Sequence, residues 1–432
     1  MIEPPTRMVP TRTPISISTF LATVIGNCLE FFDFGVYAYF AVMIGKVFFP
    51  VGSATGQLLL SFAAFGVGFV MRPLGAVVLG AYADRAGRRA ALTATILLMA
   101  VGTGIIAVTP SYATIGLAAP IAIVVARLLQ GFSAGGEVGV ATSYLVEVAL
   151  PGRRGIFGSL QSATQGLASI GGAGLGYGLS LALSDAALTQ WGWRIPFALG
   201  LVIAPVGLVI RKRMPETMDV HTAKRSSVAV IRELLHAQYA RPIVLGILGI
   251  IGPTVSTYVL GHYITSYAMT VLGMPTSTAM LVSIVSGVVI CFAAVLGGWA
   301  SDWVGRRALI LLPRLALLFA VVPVFTAIVA ARTPLSLIVG IASLMLLQAS
   351  SAAVLIVALP ESFPRNVRSL GVAFVYAVSV SIFGGSASAI ATWLVAATHS
   401  PMAPAWYLVA TNLVSLTALW FLHLPKPHEA ID

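Results

Sequence analysis

Charge is what this sequence most lacks: of its 432 residues only 9% are Asp, Glu, Lys or Arg, against about 25% in ordinary soluble domains. With 58% hydrophobic residues, a chain this long cannot cover itself with solvated side chains. It is therefore an integral membrane protein, and no soluble catalytic domain is hidden in it. Cysteine is nearly absent as well. Cys28 and Cys291, the two present, both fall inside apolar runs, which excludes a four-ligand metal site and a disulfide framework. The polar, Pro-rich stretch Met1 to Pro14 lacks the short apolar core and small-residue cleavage site of a secretory signal, and is expected to stay as a cytoplasmic tail. Alternation of apolar and polar residues over strand-length segments is also missing, which excludes an outer-membrane barrel.

What is present are long, continuous apolar runs. At roughly 20 residues per helical span, the chain has room for about twelve spans and little else. The expected fold class is all-α, with spans near 17–44, 54–82, 90–109, 115–143, 155–181, 191–211, 242–270, 276–300, 308–331, 335–359, 367–397 and 404–423. Lys and Arg number 25 against 14 Asp and Glu, a net charge of +11, and such a balance raises the question of nucleic acid. The placement of the charges answers it. Arg85, Arg88 and Arg89, Arg153 and Arg154, the run Arg211 to Arg241, Arg306 and Arg307, and Arg365 and Arg368 all fall in loops of one side, while the other side holds little beyond Lys46 and Arg332. This positive-inside pattern orients the bundle with both termini in the cytoplasm and needs no nucleic-acid partner.

The longest polar stretch, 211–241, divides six spans from six, so the expected units are 1–210, a cytoplasmic linker 211–241, and 242–432. The two halves are alike. Gly80-Ala-Tyr-Ala-Asp84-Arg85-Ala-Gly87-Arg88-Arg89 follows the second span, and Gly298-Trp-Ala-Ser-Asp302-Trp303-Val-Gly305-Arg306-Arg307 follows the eighth. A second echo sets Glu147 before Pro151 and Arg153, and Glu361 before Pro364 and Arg365. Two copies of a six-span unit predict a pseudo-two-fold along the membrane normal, with a binding cavity between the halves near the midplane.

The first loop string resembles the signature G-x-x-x-D-R-x-G-R-R of the major facilitator superfamily, and the second departs from it only at Trp303. Gly26-Asn27-Cys28-Leu29-Glu30-Phe31-Phe32-Asp33, Arg127-Leu-Leu-Gln130-Gly131, Trp191-Gly-Trp-Arg194-Ile-Pro196-Phe197 and Phe383-Gly384-Gly385 narrow the likeness to its metabolite:proton symporter family. The resemblance runs from about Gly26 to Trp406. It implies secondary transport of citrate, tricarballylate, α-ketoglutarate, shikimate, or proline and betaine, together with protons and without another cofactor. In such a protein Asp84, Arg85, Arg88 and Glu147, with Asp302, Arg306 and Glu361 in the second half, are expected to latch the cytoplasmic gate. The glycines permit a tight turn, and an acid such as Asp84 can take the positive N-terminal end of a neighbouring helix.

Charges at bilayer depth cost free energy and are functional candidates by default. Reading the spans gives Glu30 and Asp33 in the first, Arg127 and Glu137 in the fourth, and His262 in the seventh. Asn27, Glu30 and Asp33 recur every third residue and make one polar stripe. Arg127 has two readings: a planar two-pronged contact to a substrate carboxylate, or an internal ion pair fastening the fourth span to the first. An acid in low dielectric is pushed towards its neutral form by desolvation and towards its ionised form by an adjacent cation, and a proton-coupled carrier uses that competition. Glu30 and Asp33 are the favoured proton carriers, with Glu137 near the gate as a third. Gln161 and Gln165, four apart on the fifth span, can donate to carboxylate oxygens. Tyr258, His262 and Tyr376 are expected to line the second half of the cavity.

The expected function is import of a di- or tricarboxylate such as citrate by a monomer working in the bilayer of the inner membrane, driven by protons. The chain ends shortly after Pro425-Lys426-Pro427, without the long charged extension of osmosensing relatives. A zwitterionic osmolyte, betaine or proline, is the alternative substrate, and a sensor without flux is the alternative class. An intramembrane enzyme is excluded, because His262 has no nucleophile or second metal ligand near it in sequence.

Overall fold

The computed structural model describes residues 17–147, 154–212, 237–363 and 368–422, and every regular element among them is helical. The first span is bent: Ile17–Tyr39 is followed by Ala41–Phe48, with 64° between them. The second joins Ala54–Val70 to Arg72–Ala86. The third to sixth are Arg88–Val108, Ala118–Glu147, Arg154–Ala182 and Ile195–Lys212. The seventh joins Ala237–Thr257, a π-helical turn Tyr258–Tyr263 and Ile264–Thr270. The eighth to tenth are Thr276–Val304, Arg306–Ala331 and Pro334–Glu361. The eleventh joins Arg368–Ser379, a second π-helical turn Val380–Gly384 and Gly385–Thr398, and the twelfth is Ala403–Phe421. Among the described residues eight of these helices are by themselves long and apolar enough to cross a membrane, and the bent first pair makes nine. The expected boundaries hold to within five residues, while the polar stretch expected as a linker lies mostly outside the described residues.

The breaks have local causes. Pro73 cannot donate to the carbonyl of Phe69, so the second span interrupts at Met71, whose own N–H turns back to Gly68 and Phe69. In the seventh span Pro253 removes another donor one turn before the π-helical residues. The Gly249 carbonyl, which that donor would have met, accepts from Ser415 Oγ instead, and the Pro253 carbonyl accepts from Gln348 Nε2 at 2.7 Å and Thr257 Oγ1 at 3.0 Å. Such π-helical turns recur at functional sites because they re-aim side chains that a regular helix would point elsewhere.

The repeated motif corrects one expectation. It is not a loop: the helices run on through Asp84 and Asp302, and only Gly87 and Gly305 lie between one span and the next. Both glycines take nearly the same left-handed conformation, φ 90 and ψ 155 against φ 104 and ψ 153, which a side chain would strain. The halves meet through small residues. A Cβ on Gly166 would lie 2.6 Å from the carbonyl oxygen of Gly287, and one on Gly287 2.7 Å from that of Gly166. Nearer the motif end Gly155 and Gly298 oppose each other in the same way, and Gly66 of the second span meets Gly385 of the eleventh. Away from the motif end the halves are closed by rings, Phe62 on Tyr263 at 5.9 Å, Tyr39 on His262 at 5.8 Å and Phe69 on Tyr258 at 5.4 Å.

Candidate functional site

The polar stripe on the first span sits where the bundle is driest: Asn27, Glu30 and Asp33 are 2%, 3% and 6% exposed. Asn27 donates through Nδ2 to the Gln161 carbonyl at 3.2 Å and to Thr164 Oγ1 at 2.5 Å. Its donor is thereby spent on fastening the first span to the fifth. Asp33 receives a bond from Thr103 Oγ1 at 2.5 Å, and Gln130 Nε2 donates to that same Thr103 oxygen at 2.9 Å. A chain of bonds thus joins the first, third and fourth spans around the carboxylate.

Arg127, fully enclosed, lies within electrostatic reach of Asp33. Its guanidinium covers the Tyr37 ring at 3.6 Å, with the rings of Phe65 and Phe34 at 5.5 and 5.7 Å. None of its three nitrogens has a well-aligned hydrogen-bond acceptor, the Tyr37 hydroxyl being the polar group within reach. Each contact with a ring is worth about 0.5 to 2 kcal/mol, less than a buried charge loses by leaving water. The Tyr37 hydroxyl donates to the Ser61 carbonyl at 3.1 Å, which leaves its oxygen able to accept from Arg127.

Gln161 is buried against the first span, and Gln165, one turn along, is half-buried. Tyr258 and His262 are buried on the π-helical turn with their rings tilted together at 5.3 Å, while Tyr376 is half-buried on the eleventh span. At the motif end Asp302 accepts from the backbone N–H groups of Gly155 at 2.9 Å and Ile156 at 3.2 Å, and pairs with Arg306 Nη1 at 2.9 Å. An acid at the end of the eighth span thus caps the start of the fifth, in the other half. This is the geometry expected of Asp84, seen here at its repeat partner. Arg85 is exposed. The side chains of Asp84, Arg88, Glu137, Glu147 and Glu361 lie outside the described residues, although the backbone of each is helical.

Two buried arginines were missed by the sequence reading. Arg72 is 4% exposed and Arg314 is enclosed completely. Arg72 falls inside the expected second span, 54–82, just after the break at Met71, and Arg314 inside the ninth, eight residues beyond Arg306; the sequence reading gave neither a role. The signal that could have found Arg314 is the repeat itself. Gln348 and Ser351 of the tenth span echo Gln130 and Ser133 of the fourth, each serine donating to a carbonyl of the preceding span, Ile310 at 2.9 Å and Thr95 at 2.6 Å. Arg314 bonds Gln348 Oε1 at 2.6 Å, Asn412 Oδ1 at 2.9 Å and Ser351 Oγ at 3.1 Å.

Two six-span halves with repeated motif turns, and a buried acid and cation at mid-depth, define a membrane transporter of the major facilitator fold. The chain belongs to the Sugar (and other) transporter family, which it matches at residues 19–220 and again at 212–426. It is 38% identical over 418 residues to a citrate-proton symporter of Salmonella typhi, covering 95% of each chain. To the citrate-proton symporter of Klebsiella pneumoniae it is 35% identical, over 97% of this chain and 94% of that one. A putative proline/betaine transporter of Staphylococcus aureus (strain COL) is 35% identical, over 96% of this chain and 89% of that one. The solved D-xylose-proton symporter superposes with a TM-score of 0.76 at 20% identity, over 95% of this chain and 98% of that one, which establishes the shared fold. The protein is a multi-pass membrane transporter and not an enzyme.

Proposed function

We propose that this protein imports a small organic carboxylate, a di- or tricarboxylate such as citrate, together with protons, by alternating access of its two halves. The observation that carries this reading is the buried layer in which Asp33, bonded to Thr103, shares its surroundings with the guanidinium of Arg127, which has no well-aligned hydrogen-bond acceptor. When Asp33 is ionised it holds Arg127 electrostatically. Once a proton neutralises Asp33, Arg127 is released to take a substrate carboxylate through its planar fork. Discharge of the proton on the other side restores the first arrangement and expels the anion. Glu30, one turn nearer the motif end, is a second acid for the same proton, and Gln161 and Gln165 are donors for remaining substrate oxygens. No cofactor beyond the proton enters the cycle.

In this reading residues 1–210 and 242–432 move as units joined by 211–241, as a monomer in the bilayer of the inner membrane with both termini cytoplasmic. Asp84, Arg85, Arg88 and Glu147, with Asp302, Arg306 and Glu361, latch the cytoplasmic side. The similarity to proline/betaine transporters favours a zwitterion as the second reading. Against it, the Phe34, Tyr37 and Phe69 ring faces that an ammonium group would need are already covered by the guanidiniums of Arg72 and Arg127. The test is citrate uptake into proteoliposomes. Uptake is expected to collapse with an uncoupler, to ignore sodium, and to lose its proton dependence in Asp33→Asn; uptake that follows sodium and ignores pH overturns the proposal, and binding without flux makes the protein a sensor.

A further inference from the structure

Arg72 is a buried cation placed where the two halves meet. Its guanidinium carbon lies over the Phe69 ring at 4.2 Å and the Phe34 ring at 4.8 Å. Nε and Nη2, buried without a hydrogen-bond acceptor, form the edge of arginine whose two N–H bonds run parallel and match the two oxygens of a carboxylate. Across the interface Tyr258, on the π-helical turn of the seventh span, is in hydrogen-bond contact with Arg72, and Tyr376 of the eleventh span lies within its electrostatic reach. Glu30 of the first span acts on both phenols as well. The Phe34 ring separates this group from Arg127, whose guanidinium carbon stands 5.7 Å from the same ring.

We infer that Arg72 is a second carboxylate-binding residue, and that the cargo is an anion with at least two carboxylates, one taken by each arginine. This rests on the carboxylate reading of the proposed function. A carboxylate on the Nε and Nη2 edge would touch the first half through Arg72 and the second through the phenols of Tyr258 and Tyr376. Substrate binding would then draw the halves together around the cargo, something Arg127, enclosed within the first half, cannot do alone. The turn at Met71 and Pro73 brings Arg72 to the interface, where the Phe34 and Phe69 rings, in edge contact with each other at 5.5 Å, cover one side of its guanidinium and the Nε and Nη2 edge has no acceptor.

The test is equilibrium binding of radiolabelled citrate to the purified full-length protein in nanodiscs, with glycine betaine and a monocarboxylate, lactate, as competitors, and with the melting temperature measured in parallel. Arg72→Lys keeps the charge and loses the fork, and is expected to weaken citrate binding at least tenfold while ligand-free melting stays near wild type. Arg72→Gln should also abolish the preference for citrate over lactate. Tyr258→Phe and Tyr376→Phe retain the rings and are expected to weaken citrate about tenfold in at least one case, which serves if the arginine variants do not fold. Citrate affinity within twofold of wild type in Arg72→Lys, or in both tyrosine variants, overturns the inference and leaves Arg72 a packing group. If the wild type binds betaine and no citrate, the substrate class of the proposed function fails. Arg72 is then read on betaine, and an unchanged affinity in Arg72→Gln would sink its role as well.

Discussion

Three enclosed arginines, Arg72, Arg127 and Arg314, differ in how their donors are met, and that difference separates function from stability. Arg314 has three neutral acceptors on the tenth and twelfth spans, whereas Arg127 and one edge of Arg72 have no well-aligned one. A hydrogen bond to a charged group is worth about 1.5 to 3 kcal/mol, and deleting the cation leaves buried acceptors behind. Arg314→Met should therefore lower the melting temperature in detergent by several degrees. Arg127→Met leaves Asp33 without its cation, but that carboxyl can take up a proton, so the folded protein should melt closer to wild type than Arg314→Met does while transport is lost. The two variants compared by thermal melting and flux check the assignment, and a larger destabilisation at Arg127 than at Arg314 would reverse it. The sequence showed that Arg127 is at bilayer depth, but what surrounds its guanidinium is a matter of which side chains the first and second spans bring near it.

At the scale of the helix, glycine and aspartate set how the halves touch. Gly166 and Gly287 bring the fifth and eighth spans together with no room for a methyl group. Gly166→Val should force these spans apart, lowering thermal stability and slowing transport more than it raises KM, as read by initial rates in proteoliposomes. Asp302 holds the start of the fifth span through two backbone bonds, and a side-chain cap is worth about 0.5 to 2 kcal/mol. Asp302→Ala should accelerate hydrogen exchange at the amides of Gly155 and Ile156, which lose their acceptor. The maximal rate should fall while substrate affinity stays close to wild type, since the capped end lies several turns from Asp33 and Arg127. Loss of binding equal to the loss of transport would place Asp302 in the substrate site and not in the gate.

For the whole molecule, polar groups are grouped by depth. Asp302 and Arg306 occupy the motif end, Glu30 and Arg72 the next described polar layer, and Asp33, Thr103, Gln130 and Arg127 the layer beyond, before the ring contacts of Phe62, Tyr263, Tyr39 and His262 close the opposite side. Few hydrogen bonds reach through the rings, so that side is held by dispersion and area burial, which tolerate sliding, while the motif end is held by directed bonds that break at once. This asymmetry suits a machine that opens its two ends in turn, with a proton and an anion deciding when the halves separate.

The sequence by itself determined the class, because hydropathy and charge placement are properties of composition along the chain: twelve helical spans, two like halves, the repeated aspartate–glycine–arginine turn, and Asp33 and Arg127 as buried charges. The spacing of the stripe on the first span also placed Asn27, Glu30 and Asp33 on one face. Only the tertiary structure decided what each face meets. It committed Asn27 to the fifth span, turned the repeated motif into helix ends with a single glycine hinge between them, and put Asp302 on a helix start in the other half. Arg72 gained its meaning only there, since the sequence places it inside an apolar span and only the fold brings the rings of Phe34 and Phe69, on separate spans, against its guanidinium. Contacts of that kind depend on which helices become neighbours, and no periodicity within one helix carries that information.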